Sequence, residues 1–290
     1  MDIVLKNRRI LFSFCTIIFN TILNAQEFSV QLTPGLMNYG GDLQNKVYTF
    51  QQGGFSIGGA LIYRVNKFSL RAGLNYGKVK GDDLSNTGYD FRNLSFKTNV
   101  GEASVCLQYD LFLLDEQHRF TPYVFAGVGA FHFNPYTTYD SQKVYLQPLG
   151  TEGQGLPAYP DKKIYSLTQF AIPLGIGLKY RISERIQVGV EFCSRFLFTD
   201  YLDDVSGTYA DENELFKGRG QLAVDVSYRG DETDPSQPYP SGANRANPKQ
   251  NDNYYTTSFS LIYVFPESLF SGSGYGGKKG KSVNCPKDVR

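Results

Sequence analysis

The sequence predicts an all-β protein: an eight-stranded antiparallel transmembrane β-barrel with short periplasmic turns and long extracellular loops. Three observations point there, namely an export signal, eight segments of period-two alternation, and connections that alternate strictly between short and long. Composition agrees. Aromatic residues make up 15% of the 290 positions, with 22 Phe, 21 Tyr and no Trp, and charged residues only 20%, which excludes a disordered chain. Thirty glycines beside so many aromatics suit strands better than helices. A formal charge of +1 excludes a nucleic-acid binder with a basic footprint over the whole domain.

The export signal comes first. Lys6, Arg8 and Arg9 precede an apolar run from Ile10 to Leu23, and Leu23-Asn24-Ala25 supplies a small-residue ending. That run falls short of the ~20 residues a spanning helix needs, so residues 1–25 are expected to be cleaved off, leaving a chain of charge −1. Gln26 is not a lipobox cysteine, which argues against lipid anchoring at the new N-terminus. Export leaves Cys106, Cys193 and Cys285, an odd number where disulfides can form. None has the spacing of a zinc ligand.

Beyond residue 26 no stretch reaches 18 apolar residues, so a membrane span must come from strands. The first alternating segment carries Phe28, Val30, Leu32 and Leu36, and the second Phe55, Ile57, Leu61 and Tyr63. The third has Phe68, Leu70, Ala72, Leu74 and Tyr76, and the fourth Ala103, Val105, Leu107, Tyr109 and Leu111. In the fifth, Tyr123, Phe125, Phe131 and Phe133 form the outward row against Val124, Ala126, Val128 and Ala130, with little contrast in polarity. Ile172 to Ile182, Ile186 to Phe198 and Tyr255 to Phe265 complete the set. With these rows toward lipid, Arg64, Arg71, Glu102, Gln108, Asp110, Lys179, Arg181, Glu191 and Arg195 point into the lumen and must pair or stay hydrated. Cys106 and Cys193 share that lumen from strands three apart and are expected to remain unpaired. Tyr63, Tyr76, Tyr123, Tyr180 and Phe265 stand where interfacial girdles form.

The connections orient the barrel. Short turns cross Val65-Asn66, residues 115–119 and Ser183-Glu184, whereas residues 38–52, 81–98, 134–167 and 200–253 form long polar loops. Long loops are uncommon in compact soluble domains, and their strict alternation with short turns disfavours an exported soluble barrel of lipocalin type. The expected organisation is a signal peptide (1–25), an outer-membrane barrel (26–265) with both termini periplasmic, and a Gly/Ser/Lys-rich periplasmic tail (266–290). An eight-stranded interior is filled by side chains, so no diffusion pore is expected.

Chemistry-bearing residues are sparse. His118 lies in a short turn and His132 at the opposite end of the fifth segment, so one catalytic site cannot use both. A surface hydrolase using His132 with Glu152 and Ser141 is one rival reading, and an adhesin or receptor acting through the long loops is another. Asp200, Asp203 and Asp204 offer oxygens for calcium or paired carboxylates, but they lack EF-hand spacing, and a hydrogen-bonded loop closing the mouth is the default. The Gly-rich 149–156 segment follows no phosphate-binding pattern. No cofactor, metal or small-molecule substrate is expected. Residues 200–253 carry eleven acids and five bases, and the tail is basic through Lys278, Lys279, Lys281, Lys287 and Arg290.

Five segments together resemble the PorG family: Arg92 to Val100, Thr121 to Gly129, Phe131 to Pro135, residues 149–156 with Thr151, Glu152, Gly153, Gln154 and Gly155, and residues 198–206 with Asp200, Tyr201, Asp203 and Asp204. The tail, with Asn284-Cys285-Pro286-Lys287, is similar too, although Lys287-Asp288-Val289-Arg290 makes a longer ending than that family's. The resemblance implies a non-enzymatic outer-membrane barrel of the type IX secretion and gliding machinery. Its implied partners are the periplasmic ring of PorK lipoprotein and PorN, and PorM. Cys285, Pro286, Lys278, Lys279 and Lys281 become the expected partner contacts, alongside outer-membrane lipid around the wall.

Overall fold

The computed structural model describes residues 26–44, 52–85 and 92–266. The expected signal peptide, most of the tail, and with it Lys278, Lys279, Lys281, Cys285 and Pro286 lie outside the described residues.

Eight strands close into one antiparallel barrel: β1 (Gln26–Gly40), β2 (Gly54–Val65), β3 (Phe68–Asp82), β4 (Ser95–Asp110), β5 (Phe120–His132), β8 (Thr168–Arg181), β9 (Ile186–Leu197) and β10 (Asn253–Val264). They neighbour in chain order, β1 pairs β10, and the β3–β4 ladder completes the circle. A short hairpin, β6 (Tyr136–Tyr139) with β7 (Gln142–Tyr145), and two helices, α1 (Glu212–Arg219) and α2 (Gln221–Ser227), belong to the long loops. Closure leaves the barrel wall without an unpaired edge, the condition a sheet must meet in hydrocarbon.

Alternation sorts the wall into two surfaces. Leu61, Leu74, Leu107, Ile176, Phe192 and Phe259 stand exposed on the outside, while Gln31, Arg71, Glu102, Gln108, Asp110, Lys179, Glu191 and Arg195 are buried inside. An apolar exterior around a charged interior inverts a soluble barrel and is the pattern of a lipid-facing wall. The short turns gather at one end, together with the start of β1 and the end of β10, where the Phe265 amide donates to the Phe28 carbonyl. Asn66 adopts positive φ in the tightest of these turns, a conformation Asn tolerates.

The lumen is filled by three ion pairs across strands. Arg71 meets Glu191 at 3.0 Å, with Tyr123 donating to the same carboxylate at 2.8 Å. Arg195 meets Glu102 at 2.9 Å, and Tyr254 donates to it at 2.6 Å. Lys179 meets Asp110 at 2.7 Å, and Gln108 donates to the other carboxylate oxygen. The space between the first two pairs is about 50 Å³, room for one or two waters. Cys106 and Cys193 are buried there as free thiols.

β5 reverses the sequence expectation. Tyr123, Phe125, Phe131 and Phe133 are buried, and Val124 and Val128 face outward, so Tyr123 is no girdle residue. Glycines on β8 give the reason. A Cβ on Gly175 would lie 2.1 Å from the Phe125 ring, and one on Gly177 2.2 Å from that of Tyr123, so the rings occupy volume the glycines leave open. Arg64 and Arg181 also leave the lumen proper: Arg64 pairs with Glu27 and Arg181 donates to the Leu114 carbonyl at the short-turn rim.

Candidate functional site: a polar plug at the barrel mouth

The two loop segments that sequence singled out separately meet at the long-loop mouth. Gly150, Gly153 and Gly155 turn the 149–156 segment through positive φ, and Gly153 leaves no room for a Cβ, which would lie 2.4 Å from the Tyr159 ring. This coiling buries Thr151, Glu152 and Gln154 against the loop after β9. The Glu152 carboxylate accepts hydrogen bonds from the Ser206 and Gly207 amides and from the Tyr201 hydroxyl. Gln154 accepts from the Glu152 amide at 2.9 Å.

Arg245 ties the two segments together. Its guanidinium is buried, pairs with Glu152 at 3.2 Å, and donates to the Thr151 hydroxyl and the Asp204 carbonyl. The Asp204 side chain accepts from Thr151 and Tyr165, each at 2.6 Å. Asp204 has φ 68°, so the chain enters the left-handed region where Asp is tolerated. A second buried pair, Arg92 with Asp83 at 2.6 Å, anchors the β3–β4 loop, and Arg92 also donates to the Arg245 carbonyl. Phe133, Tyr165 and Tyr201 stack beside these pairs, the tyrosine rings 4.8 Å apart and 7° from parallel.

The plug joins the wall through Tyr39 and two buried aspartates. Tyr39 on β1 bonds Asp203 at 2.5 Å and Asp252 at 3.0 Å. The Val205 amide donates to Asp203, and the Leu202 amide to Asp252. One phenolic hydrogen is shared between two carboxylates, an arrangement that favours an extra proton on the cluster. Burial, with repulsion from neighbouring acids, accordingly pushes Asp203 and Asp252 well above the usual carboxylate range. Burial raises Asp204 to about 6, against the pull of Arg245, and raises Asp200 to about 7.

Of the expected site residues, Thr151, Glu152, Gln154, Tyr201, Asp203 and Asp204 therefore share one network, with Gly153 and Gly155 shaping it. Asp200 stands beside it. The acids hold one another, Arg245 and amides, and among the described residues no group of three or more His, Cys, Asp or Glu is arranged to hold a metal ion. Sequence reasoning missed Tyr39, Asp83, Arg92, Asp252 and Arg245 as network members. The signal for Arg245 was the charge imbalance of its loop: buried acids need a cation, and few are present. The rival hydrolase residues are dispersed. His132 is exposed and bonded to Thr168, Ser141 sits at the tip of the β6–β7 hairpin, and Glu152 is consumed by Arg245.

Residues 8–223 match DUF6089, a domain of unknown function. No curated protein matches the sequence. Among solved structures, Neisserial surface protein A is 11% identical with a TM-score of 0.43, covering 83% of this chain and 100% of that one. Ail of Yersinia pestis, bound to the heparin analogue sucrose octasulfate, is 7% identical with a TM-score of 0.37, covering 83% and 97%. Outer Membrane Protein W of E. coli is 12% identical with a TM-score of 0.36, covering 84% and 100%.

Proposed function

The chain belongs to the DUF6089 family, and from that premise we propose that it is a non-enzymatic outer-membrane barrel that anchors and helps assemble the periplasmic ring of the type IX secretion and gliding machinery. PorK lipoprotein and PorN are the proposed ring partners, with PorM as a further neighbour. The observation that carries an anchoring role is the filled lumen beneath a sealed mouth. Three buried ion pairs occupy the barrel interior and a buried network closes its long-loop end. Work done through surfaces suits such a body better than passage through it. The similarity to PorG supports the identity of the machinery, because the 149–156 and 198–206 segments that carry it are joined in one network.

In this reading the short-turn end faces the periplasm, and the basic 266–290 tail raises the local concentration of a ring partner near the membrane. Deleting residues 271–290 tests it. The truncated barrel is expected to insert and show heat-dependent gel mobility, yet to lose copurification with ring subunits. Undiminished copurification would overturn the tail's role, and a surface phenotype that follows the long loops alone would favour an adhesin or receptor.

A further inference from the structure

Beside the plug, at the mouth ends of β8 and β9, lies a pocket of about 700 Å³ that the anchoring role does not use. Its outer wall is Phe170 and Phe198, 72% and 63% exposed, which continue upward the apolar exterior row of Ile172 and Phe196. Its inner wall is the stacked pair Tyr165 and Tyr201. Asp200 also lines it, only 7% exposed, with no cation paired to it and no well-formed hydrogen bond to either carboxylate oxygen. Ser206 is the one neighbour favouring the ionised form, while Asp42 and Glu152 oppose it. The nearby guanidiniums are committed elsewhere, Arg245 to Glu152 and Arg92 to Asp83.

A buried carboxylate without a partner is costly, and a cation relieves that cost. The geometry points to a binding site for a primary ammonium group carried on a membrane amphiphile, with acyl chains along Phe170 and Phe198 and the ammonium on Asp200. Continuity of the outer wall with the lipid-facing belt is what favours an amphiphile over a lysine side chain of a protein. The acids around Asp200 also disfavour headgroups whose only charge is negative.

Native mass spectrometry of the full chain in neutral detergent tests this, with equimolar phosphatidylethanolamine and phosphatidylglycerol of identical acyl chains. Both carry a phosphate, and only the first carries an ammonium. The wild type is expected to retain the ethanolamine lipid about tenfold better, the scale of a charge-assisted hydrogen bond. Asp200→Asn should bring the ratio close to one, and Asp200→Glu should keep the preference. Equal retention by the wild type, or an unchanged preference in a folded Asp200→Asn barrel, overturns the site. If Asp200→Asn does not fold, the Phe170→Ser/Phe198→Ser variant decides: loss of the preferential adduct supports the site, and an unchanged adduct overturns it. Displacement of the lipid by free ethanolamine, or by a lysine peptide that is itself retained, would overturn the amphiphile.

Discussion

Inside the wall, Arg71, Lys179 and Arg195 each meet a carboxylate from another barrel strand, so the ladders that fix the strands also fix the charges. Above the mouth, Arg245 in the β9–β10 loop meets Glu152 in the β5–β8 loop, and no barrel ladder sets that distance. Both regions bury ions at similar depth. In the lumen the pairs are consequences of the sheet, whereas in the plug the pair is itself the tie between loops. Breaking a lumen pair therefore leaves the wall's connectivity standing, and breaking the plug pair releases the loops.

The largest effect that would break this comparison is Arg245→Met. It strands the buried Glu152 carboxylate and frees Asp204 from its counter-cation, a loss of about 3–5 kcal/mol. Protease cleavage within 198–252 should accelerate while the barrel keeps its heat-dependent gel mobility. Unchanged cleavage would mean that packing, not Arg245, holds the plug.

The same contrast explains what the sequence discloses. A period of two is a property of each strand alone, so Leu70, Leu107 and Ile176 announce their faces, and alternating loop length announces the ends. β5 is the exception because its face depends on a neighbour: Phe125 goes inward only because Gly175 on β8 leaves space. The pairing inside the plug is illegible for a stronger version of that reason. Glu152 and Arg245 are 93 positions apart, and nothing local in Ala-Asn-Arg-Ala-Asn marks a buried guanidinium. Helix α1 was within reach, however. Asp211 caps it by accepting from the Asn213 and Glu214 amides, acids occupy its first turn and Lys217 and Arg219 its last. Its buried residue, Leu215, gives too little apolar periodicity to set it apart from the polar 200–253 loop.

Two substitutions sharpen the division of the wall at smaller cost. Leu74→Arg places a charge mid-way along β3 on the exposed exterior and should destabilise the inserted barrel by about 2–4 kcal/mol in lipid vesicles. A wall bathed in water would show almost no change in the urea midpoint. Gly177→Ala forces a methyl into the Tyr123 ring and should cost about 1–3 kcal/mol by overpacking. If it proves neutral in the same urea titration, the glycines of β8 do not set the phase of β5.

The smallest expected effect separates plug from lumen by pH. Asp204 at about 6 and Asp200 at about 7 lie above the ~4 of an unfolded carboxyl, and Asp203 and Asp252 are raised well above it too. The folded plug thus holds protons that the opened loops release. Such groups contribute their full stability below about pH 4 and lose it as pH rises through 6 to 7 and beyond. Arg245 and the Thr151 and Tyr165 hydroxyls restrain this for Asp204, while Asp42 and Glu152 reinforce it for Asp200. Hydrogen exchange at the Val205 and Ser206 amides, which donate to Asp203 and Glu152, reads the opening directly. After correction for intrinsic rates, their protection should fall with rising pH, while amides in the β3–β4 ladder stay constant. Asp203→Asn should flatten the slope, because an amide keeps the Tyr39 contact without a proton to lose. Protection that is level across this range, or that rises with pH, would show that the Tyr39 cluster carries no shared proton.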